Sequence, residues 1–328
     1  MNNKIKKAAS SAPGKVILFG EHFVVYNNPA IVAAINKRIR VDAQTNDESC
    51  INIKSGQDTL SVPISKVRDH LEAADISSSF LYPILKCVEH VALDRQNPKL
   101  GLNLDIHSQV PNGEGLGSSA ASCVATVGSL YYLNANYERN RVYETAKIME
   151  RNIHTNSSGI DCYVSTFGGI VNYEPAKGFS NIRPKNKFVF IIGTTGVKHS
   201  TGEIVTQVKR FREKNSSLFK DLCSKASVIC NKAINSVLEG NESELGKMLT
   251  ENHKLLVTLG VSHPAIEELI DICLDNGAIG AKLTGAGRGG AMIALIPSDT
   301  CKEISNKINR SPGKWMLAEF DYDGVLVE

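Results

Sequence analysis

The chain has 328 residues and a formal net charge of +3, with 42% hydrophobic and 6% aromatic residues. This length and apolar content exclude a disordered or fibrous protein and allow two domains with filled cores. The small charge and the few aromatic side chains argue against nucleic-acid binding.

Membrane insertion and export are not indicated. The basic start MNNKIKKAAS precedes no apolar run before Pro13, so it does not resemble a signal peptide. The longest apolar runs, residues 188–192 and 291–296, are far shorter than a membrane span. The eight cysteines have no metal-ligand spacing, which predicts reduced core residues and a cytoplasmic protein.

Apolar patterning in the first half predicts a mixture of strands and helices. Strands are predicted at residues 16–19, 30–35, 40–43, 50–54 and 100–106. Helices are predicted at residues 81–93 and 142–151, and residues 159–173 predict a loop that returns to a strand.

The polar segment EPAKGFSNIRPKN, with its two prolines, predicts a domain boundary near residues 175–186. We therefore expect one domain at residues 1–180 and a second at residues 181–328. In the second, helices are predicted at residues 216–238, 242–259 and 263–276, and strands at residues 188–192, 280–283, 291–296 and 320–327.

The segment PNGEGLGSSAASCVATVGSLYYL, residues 111–133, joins a glycine-rich loop to the start of a helix. Gly113, Gly115 and Gly117 let the main chain adopt positive φ and approach an anion closely. A helix N-terminus binds phosphate through its amide groups, but it contributes only about 0.3 to 1 kcal/mol per charge. A polyphosphate would therefore also need a metal ion and cationic side chains.

Two further glycine segments, APGKVILFGEH and KLTGAGRGGAMIAL, lie near the two ends of the chain. Gly285, Gly287 and Gly290 satisfy the pattern GxGxxG, but a strand-like run follows where a dinucleotide site needs a helix. No GK[ST] closes any of the three segments, so they are not Walker loops. The simplest interpretation is that all three converge on one polyphosphate.

Taken in this order, the three segments resemble the GHMP kinase family, named for galacto-, homoserine, mevalonate and phosphomevalonate kinases, over almost the whole chain. The resemblance implies an α+β fold with an N-terminal domain of the ribosomal-protein-S5-like type and a C-terminal ferredoxin-like domain. It also implies ATP and Mg²⁺ as cofactors, an alcohol as phosphoryl acceptor, and a site in the cleft between the domains.

Three segments, GKVILFGEHFVVY, IHTNSSGIDCYVSTFGG and LGVSHPAIEEL, most resemble family members that act on mevalonate. The implied reaction is phosphorylation of the C5 hydroxyl of (R)-mevalonate for isoprenoid synthesis. Galactokinases typically have GEHTDY in the first segment, and homoserine kinases lack the aspartate. Two alternatives remain open: a relative acting on phosphomevalonate or a sugar, and a silent member that binds nucleotide as a sensor.

The matches to SSGID and APGK imply that Asp161 and Lys15 are the catalytic residues. The aspartate either accepts the proton of the acceptor hydroxyl or orients that hydroxyl. The lysine offsets negative charge that develops on the alkoxide.

The resemblance also assigns the metal and nucleotide contacts. Ser119 and Glu150 match the Mg²⁺ ligands, a hydroxyl and a carboxylate of the kind magnesium accepts, although Glu150 can also be read as an exposed charge at a helix end. Nucleotide contacts are expected from Pro111, Gly113, Glu114, Gly115, Leu116, Gly117, Ser118, Ser119, Ala120, Gly285 and Gly287.

Glu21, His22 and Thr201 are the expected substrate-side residues. Glu21 would orient Lys15 or the metal shell, His22 would meet the acceptor's carboxylate, and Thr201 would lie near the transferred phosphate. A core position for His22 remains an alternative. Lys198 and His199 either steer anions or are solvated.

Three residues depart from the family pattern. Arg288 stands where glycine is common and either contacts phosphate or points to solvent, Ser157 stands where proline is usual, and Cys162 replaces a usual asparagine. The expected partners are the small-molecule substrate and ATP, without nucleic acid or membrane, in a possible homodimer.

Overall fold

Two β-sheets organise the chain in this computed structural model, which describes residues 6–73, 79–93, 101–153, 158–197 and 200–328. In these ranges the strands are β1 (Lys7–Phe19), β2 (Ala30–Asn46), β3 (Cys50–Ser55), β4 (Asp58–Pro63), β5 (Gly101–Ser108), β6 (Ile170–Glu174), β7 (Gly178–Ile182), β8 (Val189–Thr194), β9 (Gly280–Thr284), β10 (Ala291–Ile296), β11 (Lys314–Glu319) and β12 (Leu326–Val327). The α-helices are α1 (Val67–Glu72), α2 (Leu81–Val88), α3 (Ser118–Leu133), α4 (Arg139–Ile153), α5 (Ile160–Phe167), α6 (Thr201–Lys214), α7 (Ser216–Glu239), α8 (Glu242–Leu259), α9 (Pro264–Asp275) and α10 (Cys301–Ile308).

The larger sheet has eight strands in the order β12-β1-β2-β5-β3-β4, with β6 and β7 joined to it through β2. All its pairs are antiparallel except β3 with β5. Separate strands were expected at residues 30–35 and 40–43, but β2 runs through both. The register of the β1–β2 pair shifts between Pro13 and Gly14, which is a β-bulge. The polar residues 36 and 37 of β2 are accommodated there without ending the strand.

Helix α3 lies against β1 and β2 at the centre of the first half. Its sequence is small or apolar on almost every side, which suits a helix that is buried all round. Gly128 permits the close approach, because a Cβ atom there would lie 2.6 Å from Oγ of Ser10. The sheet therefore fixes where the first turn of α3 lies.

The smaller sheet has the order β11-β8-β10-β9, and its pairs are all antiparallel. In chain order its units are a strand, helices, two strands, a helix and a strand, which is the ferredoxin-like arrangement. This topology confirms the predicted α+β fold class.

Alternating side chains of the smaller sheet enter two different apolar clusters. Phe190 and Ile192 of β8 join the core that also contains β1, β2 and α3. Val189 and Ile191 point to the other face, where they pack with α9 and α10. One continuous core therefore connects the two sheets and fixes how they pack against each other.

The last residues of the chain return to the larger sheet. Strand β12 pairs with β1, and main-chain hydrogen bonds of 2.8 Å join Glu328 to Ala9 in both directions. Arg38 bonds to the carboxylate of Asp321 and donates to the carbonyl oxygens of Ser11 and Gly324. The domain division at residue 180 stays a prediction, and the first sheet includes residues from beyond it.

Several elements differ from the sequence-based expectation. Residues 160–167 form a short helix, α5, where a loop was expected. The glycines at positions 159 and 168 are its two caps and limit it to eight residues. The polar segment at residues 175–186 contains β7, which forms a hairpin with β6. Among the described residues, none of the helices is long and apolar enough to span a bilayer.

Candidate active site

Lys15 and Asp161 form an ion pair between β1 and the first turn of α5. Their Nζ and Oδ2 atoms are 3.2 Å apart, and the side chains are 5% and 33% exposed. Lys15 also donates to the carbonyl oxygen of Gly115 at 3.2 Å. A buried cation thus holds a carboxylate that remains accessible, next to the glycine-rich loop.

The glycine-rich loop leads into α3 without a side-chain cap. Gly113, Gly115 and Gly117 have φ values of +77°, +79° and +75°. The N-cap residue is Gly117, which has no side chain, so among the described residues the amide groups of Ser118 and Ser119 start the helix without a side-chain cap. Such a helix start favours an anion.

Other members of the predicted nucleotide set shape this loop. Leu116 and Ala120 are buried, and the carbonyl oxygen of Leu116 accepts from the amide of Lys15 at 2.9 Å. The hydroxyl of Ser118 donates to the side chain of Asn112 at 3.2 Å. Pro111 and Glu114 lie partly exposed on the same loop.

The three glycine segments meet at this point, as their order predicted. A Cβ atom on Gly14 would lie 2.8 Å from the carbonyl oxygen of Leu116, and one on Gly115 would lie 3.8 Å from Cα of Gly285. Gly287 contacts the loop after α8, where a Cβ atom would lie 2.1 Å from the carbonyl oxygen of Val261. These contacts bring β1, the phosphate-sized loop and the third segment together.

Ser119 and Glu150 offer a hydroxyl and a carboxylate of the kind a magnesium ion accepts. Oγ of Ser119 is buried and, among the described residues, has no hydrogen-bond partner. Glu150 is buried and accepts from the thiol of Cys162 at 3.3 Å. Burial raises the pKa of that thiol well above its ordinary value, so Cys162 remains a donor. An orphaned hydroxyl and a held carboxylate fit an oxygen-liganded cation.

Glu21 lies in a buried ion pair with Lys282, a residue that the sequence analysis did not single out. Both side chains are 0% exposed, and Glu21 also accepts from Nδ2 of Asn252 at 3.4 Å. The carboxylate of Glu21 is therefore held in the core by Lys282 and Asn252. Its expected role toward Lys15 or the metal stays a prediction, and the contact that the structure shows is with Lys282 of the third glycine segment.

His22 is bonded to the third segment. Its Nε2 lies 2.8 Å from the carbonyl oxygen of Ala286, so Nε2 carries the hydrogen. Burial lowers the pKa of His22, the bond to Ala286 raises it, and the charge of Lys282 lowers it. The backbone φ of 61° is unusual for a residue with a side chain and marks a tightly held turn.

Thr201 and Arg288 lie at the margin of this cluster. Thr201 is exposed in the first turn of α6, whose cap is the side chain of Ser200. Arg288 is exposed, and its Nε donates to the carbonyl oxygen of Gly260 at 3.4 Å. Ser157, Lys198 and His199 lie outside the described residues.

Lys282 and Thr284 are the residues that sequence reasoning missed. Thr284 accepts from the amide of Ile17 at 2.9 Å and donates to the carbonyl oxygen of Ile17 at 3.0 Å. The sequence did contain one signal for Lys282. It is a lysine inside the short segment GAKLT, whose other residues are typical of a buried strand. A buried lysine requires a partner, and Glu21 is that partner.

Family models for the GHMP kinases match the chain in two places. The model for the GHMP kinases N terminal domain matches residues 83–169, and the GHMP kinases C terminal model matches residues 232–314. With the similarity to full-length relatives reported next, these matches show that the chain belongs to the GHMP kinase family.

Within this family, the chain is similar over nearly its whole length to mevalonate kinases. The mevalonate kinase of Pyrococcus horikoshii is 36% identical over 99% of this chain and 98% of its own length. That of Thermococcus gammatolerans is 35% identical over 98% of both. The crystal structure of L. major mevalonate kinase in complex with R-mevalonate has a TM-score of 0.84 at 26% identity, covering 98% of this chain and 99% of that one. The family predicted from the three glycine segments is confirmed.

Proposed function

We propose that this chain catalyses the mevalonate kinase reaction, the transfer of the ATP γ-phosphoryl group to the C5 hydroxyl of (R)-mevalonate. The observation that carries the proposal is the pair of Lys15 and Asp161, held 3.2 Å apart beside the uncapped start of α3. The similarity to mevalonate kinases over 98–99% of the chain supports the choice of acceptor.

In the proposed reaction the hydroxyl oxygen of mevalonate forms a bond to the γ-phosphorus, and the bond from that phosphorus to the β,γ-bridging oxygen breaks. ADP leaves, and the hydroxyl proton passes to Asp161. The ammonium group of Lys15 offsets the charge that develops on the attacking oxygen. Because Lys15 is buried, its charge acts on that oxygen with little screening by water.

The phosphates are proposed to bind the loop at residues 111–117 and the first amide groups of α3. Ser119 and Glu150 would hold Mg²⁺, which when bound neutralises charge on the β- and γ-phosphates. The orphaned hydroxyl of Ser119 supports that assignment. Gly285 and Gly287 place main chain, without side chains, on the other side of the loop.

His22 is proposed to contact a hydroxyl group of mevalonate, not its carboxylate. Its Nε2–H is used by Ala286, so the neutral ring offers Nδ1 only as an acceptor. An acceptor suits a hydroxyl hydrogen and repels a carboxylate. Thr201 stays a proposed residue of the acceptor side.

The eight cysteines are all free, which supports a reducing compartment such as the cytoplasm. A homodimer stays a prediction, and analytical ultracentrifugation would test it.

The test is ATP-dependent release of ADP by the purified protein with Mg²⁺ and (R)-mevalonate, beside phosphomevalonate, galactose and homoserine. Turnover with mevalonate that exceeds turnover with the other three supports the proposal. Turnover with one of the others, or ATP binding without any turnover, contradicts it and moves the search to another acceptor or to a nucleotide sensor.

A further inference from the structure

Lys282 lies at the centre of a sealed polar cluster between the two sheets. Besides its bond to Glu21, its ammonium group donates to the carbonyl oxygens of Leu283 at 2.6 Å and Ile17 at 3.5 Å. All three donors of the ammonium group are thus directed at acceptors. The carboxylate of Glu21 is in turn bonded by Asn252 from α8.

Such a cluster is costly to bury. Moving two charges out of water costs several kcal/mol per ion, and the mutual attraction of the pair often only offsets this cost. Replacing a buried ion pair by well-packed apolar residues of similar volume is often neutral or stabilising. Stability is therefore a weak explanation for the presence of this ion pair. The positions that it fixes explain it better.

The geometry connects the catalytic strand to the third glycine segment. Ile17, two residues after Lys15 on β1, bonds to Thr284 through both its amide and its carbonyl group. The same carbonyl oxygen of Ile17 also accepts a hydrogen bond from the ammonium group of Lys282. Gly285 follows directly and contacts the phosphate-sized loop at Gly115. The polar cluster thus ties β1, which carries Lys15, to the third glycine segment, and that segment packs against the loop that would carry the phosphates.

We propose that Lys282, together with Thr284, is a positioning residue that holds the third glycine segment in register with Lys15. It acts through Glu21 and Ile17 and touches neither ATP nor the acceptor. This inference rests on the proposed phosphoryl transfer, because the alignment that it fixes is that of the phosphates with the acceptor hydroxyl.

Three variants separate positioning from simple stability. Lys282→Met leaves the carboxylate of Glu21 buried and unpaired, so its melting temperature should fall clearly. The double variant Glu21→Gln with Lys282→Met removes both charges and should recover most of that loss. Thr284→Val removes the two bonds to Ile17 without leaving a charge. The matched controls are Lys314→Met on the exposed end of β11 and Thr258→Val on the exposed face of α8.

The readouts are melting temperature, kcat and KM for each substrate. We expect kcat to fall about 10- to 100-fold in the double variant and in Thr284→Val, because small misplacements of reacting groups cost this much. KM for both substrates should stay within about threefold, since the binding groups remain. The inference is overturned by a double variant that melts near wild type and keeps kcat within about twofold.

Hydrogen–deuterium exchange gives a result that does not depend on turnover. In the double variant and in Thr284→Val, amides at residues 285–290 should exchange about tenfold faster than in wild type, while the two controls should not differ. Unchanged exchange there contradicts positioning. A wild-type protein that is inactive on mevalonate would instead contradict the proposed function, and the exchange result would still decide the role of Lys282.

Discussion

Two lysine–carboxylate pairs in this molecule have the same chemistry and different surroundings. In the pair of Lys15 and Asp161 the carboxylate side chain is 33% exposed, whereas in the pair of Lys282 and Glu21 both side chains are 0% exposed. The first carboxylate can meet a substrate, and the second is completely enclosed by protein. Exposure, more than residue type, therefore separates a group that can react from one that can only hold its neighbours.

The most direct test of this difference between the two pairs is to neutralise the accessible carboxylate of Asp161. Asp161→Asn should lower kcat by about 10²- to 10⁴-fold, or about 3 to 5 kcal/mol, because the proton acceptor is lost. The free energy of unfolding should also fall, because the buried ammonium group of Lys15 loses its charged partner. Steady-state kinetics, ATP titration and urea denaturation measure these effects.

The control for this variant is Asp58→Asn, an exposed aspartate on the edge strand β4. It should behave as wild type in all three measurements. An Asp161→Asn enzyme that retains its turnover would contradict the proton-acceptor role of Asp161 and leave it at most an orienting role.

Removing the hydroxyl of Ser119 tests a different contrast, between a buried hydroxyl without a partner among the described residues and the ammonium group of Lys282, whose three donors all have acceptors. Ser119→Ala should raise the Mg²⁺ concentration needed for half-maximal rate about tenfold, equivalent to about 1.4 kcal/mol of binding. Melting temperature without metal should not fall, because the hydroxyl has no protein partner among the described residues. Mn²⁺ binding followed by electron paramagnetic resonance gives a readout that is independent of activity.

Ser217→Ala, on an exposed part of α7, is the matched control. Equal metal dependence in Ser119→Ala and in this control would remove Ser119 from the proposed metal site.

The smallest expected effect concerns pH and the histidine next to the sealed pair. Burial lowers the pKa of His253, with Glu267 and Asp271 acting to raise it and Lys282 to lower it. As pH falls below the ordinary histidine pKa of 6.5, the unfolded chain binds a proton before the folded chain does. The free energy of unfolding should therefore decrease, by on the order of 1 kcal/mol, until pH passes the lower folded-state pKa.

Urea denaturation between pH 7.5 and pH 5, a range of roughly two and a half units around the histidine pKa, measures this slope. His253→Gln should make the slope shallower, whereas His90→Gln, at an exposed position after α2, should leave it steep. An unchanged slope in His253→Gln would show that other groups set the pH dependence.

The comparison of the two pairs also shows what the sequence can and cannot predict. The motifs APGK and SSGID identified Lys15 and Asp161 as a pair, and the glycine pattern identified the loop and the family. Glu21 was placed near Lys15 because both belong to the first glycine segment. Membership of one segment does not fix where a side chain points, however, and Glu21 lies in the turn after β1 with its carboxylate in the core, bonded to a lysine 261 positions away.

The fold was predictable where the periodicity was strong and uncertain where glycine and proline dominate. Helix α8 and strand β10 have the expected bounds. Helix α5 was missed because its flanking glycines signal a loop, although at these positions they end a helix of eight residues. Strand β7 was missed because its polar residues pair only with β6, at the margin of the sheet.

The return of the last residues to β1 has a consequence for synthesis and for protein engineering. The outer partner of β1 is β12, so the first sheet gains this edge strand only when residues 326–327 have left the ribosome. A truncated chain that lacks β12 leaves the backbone of β1 open to pairing with other chains.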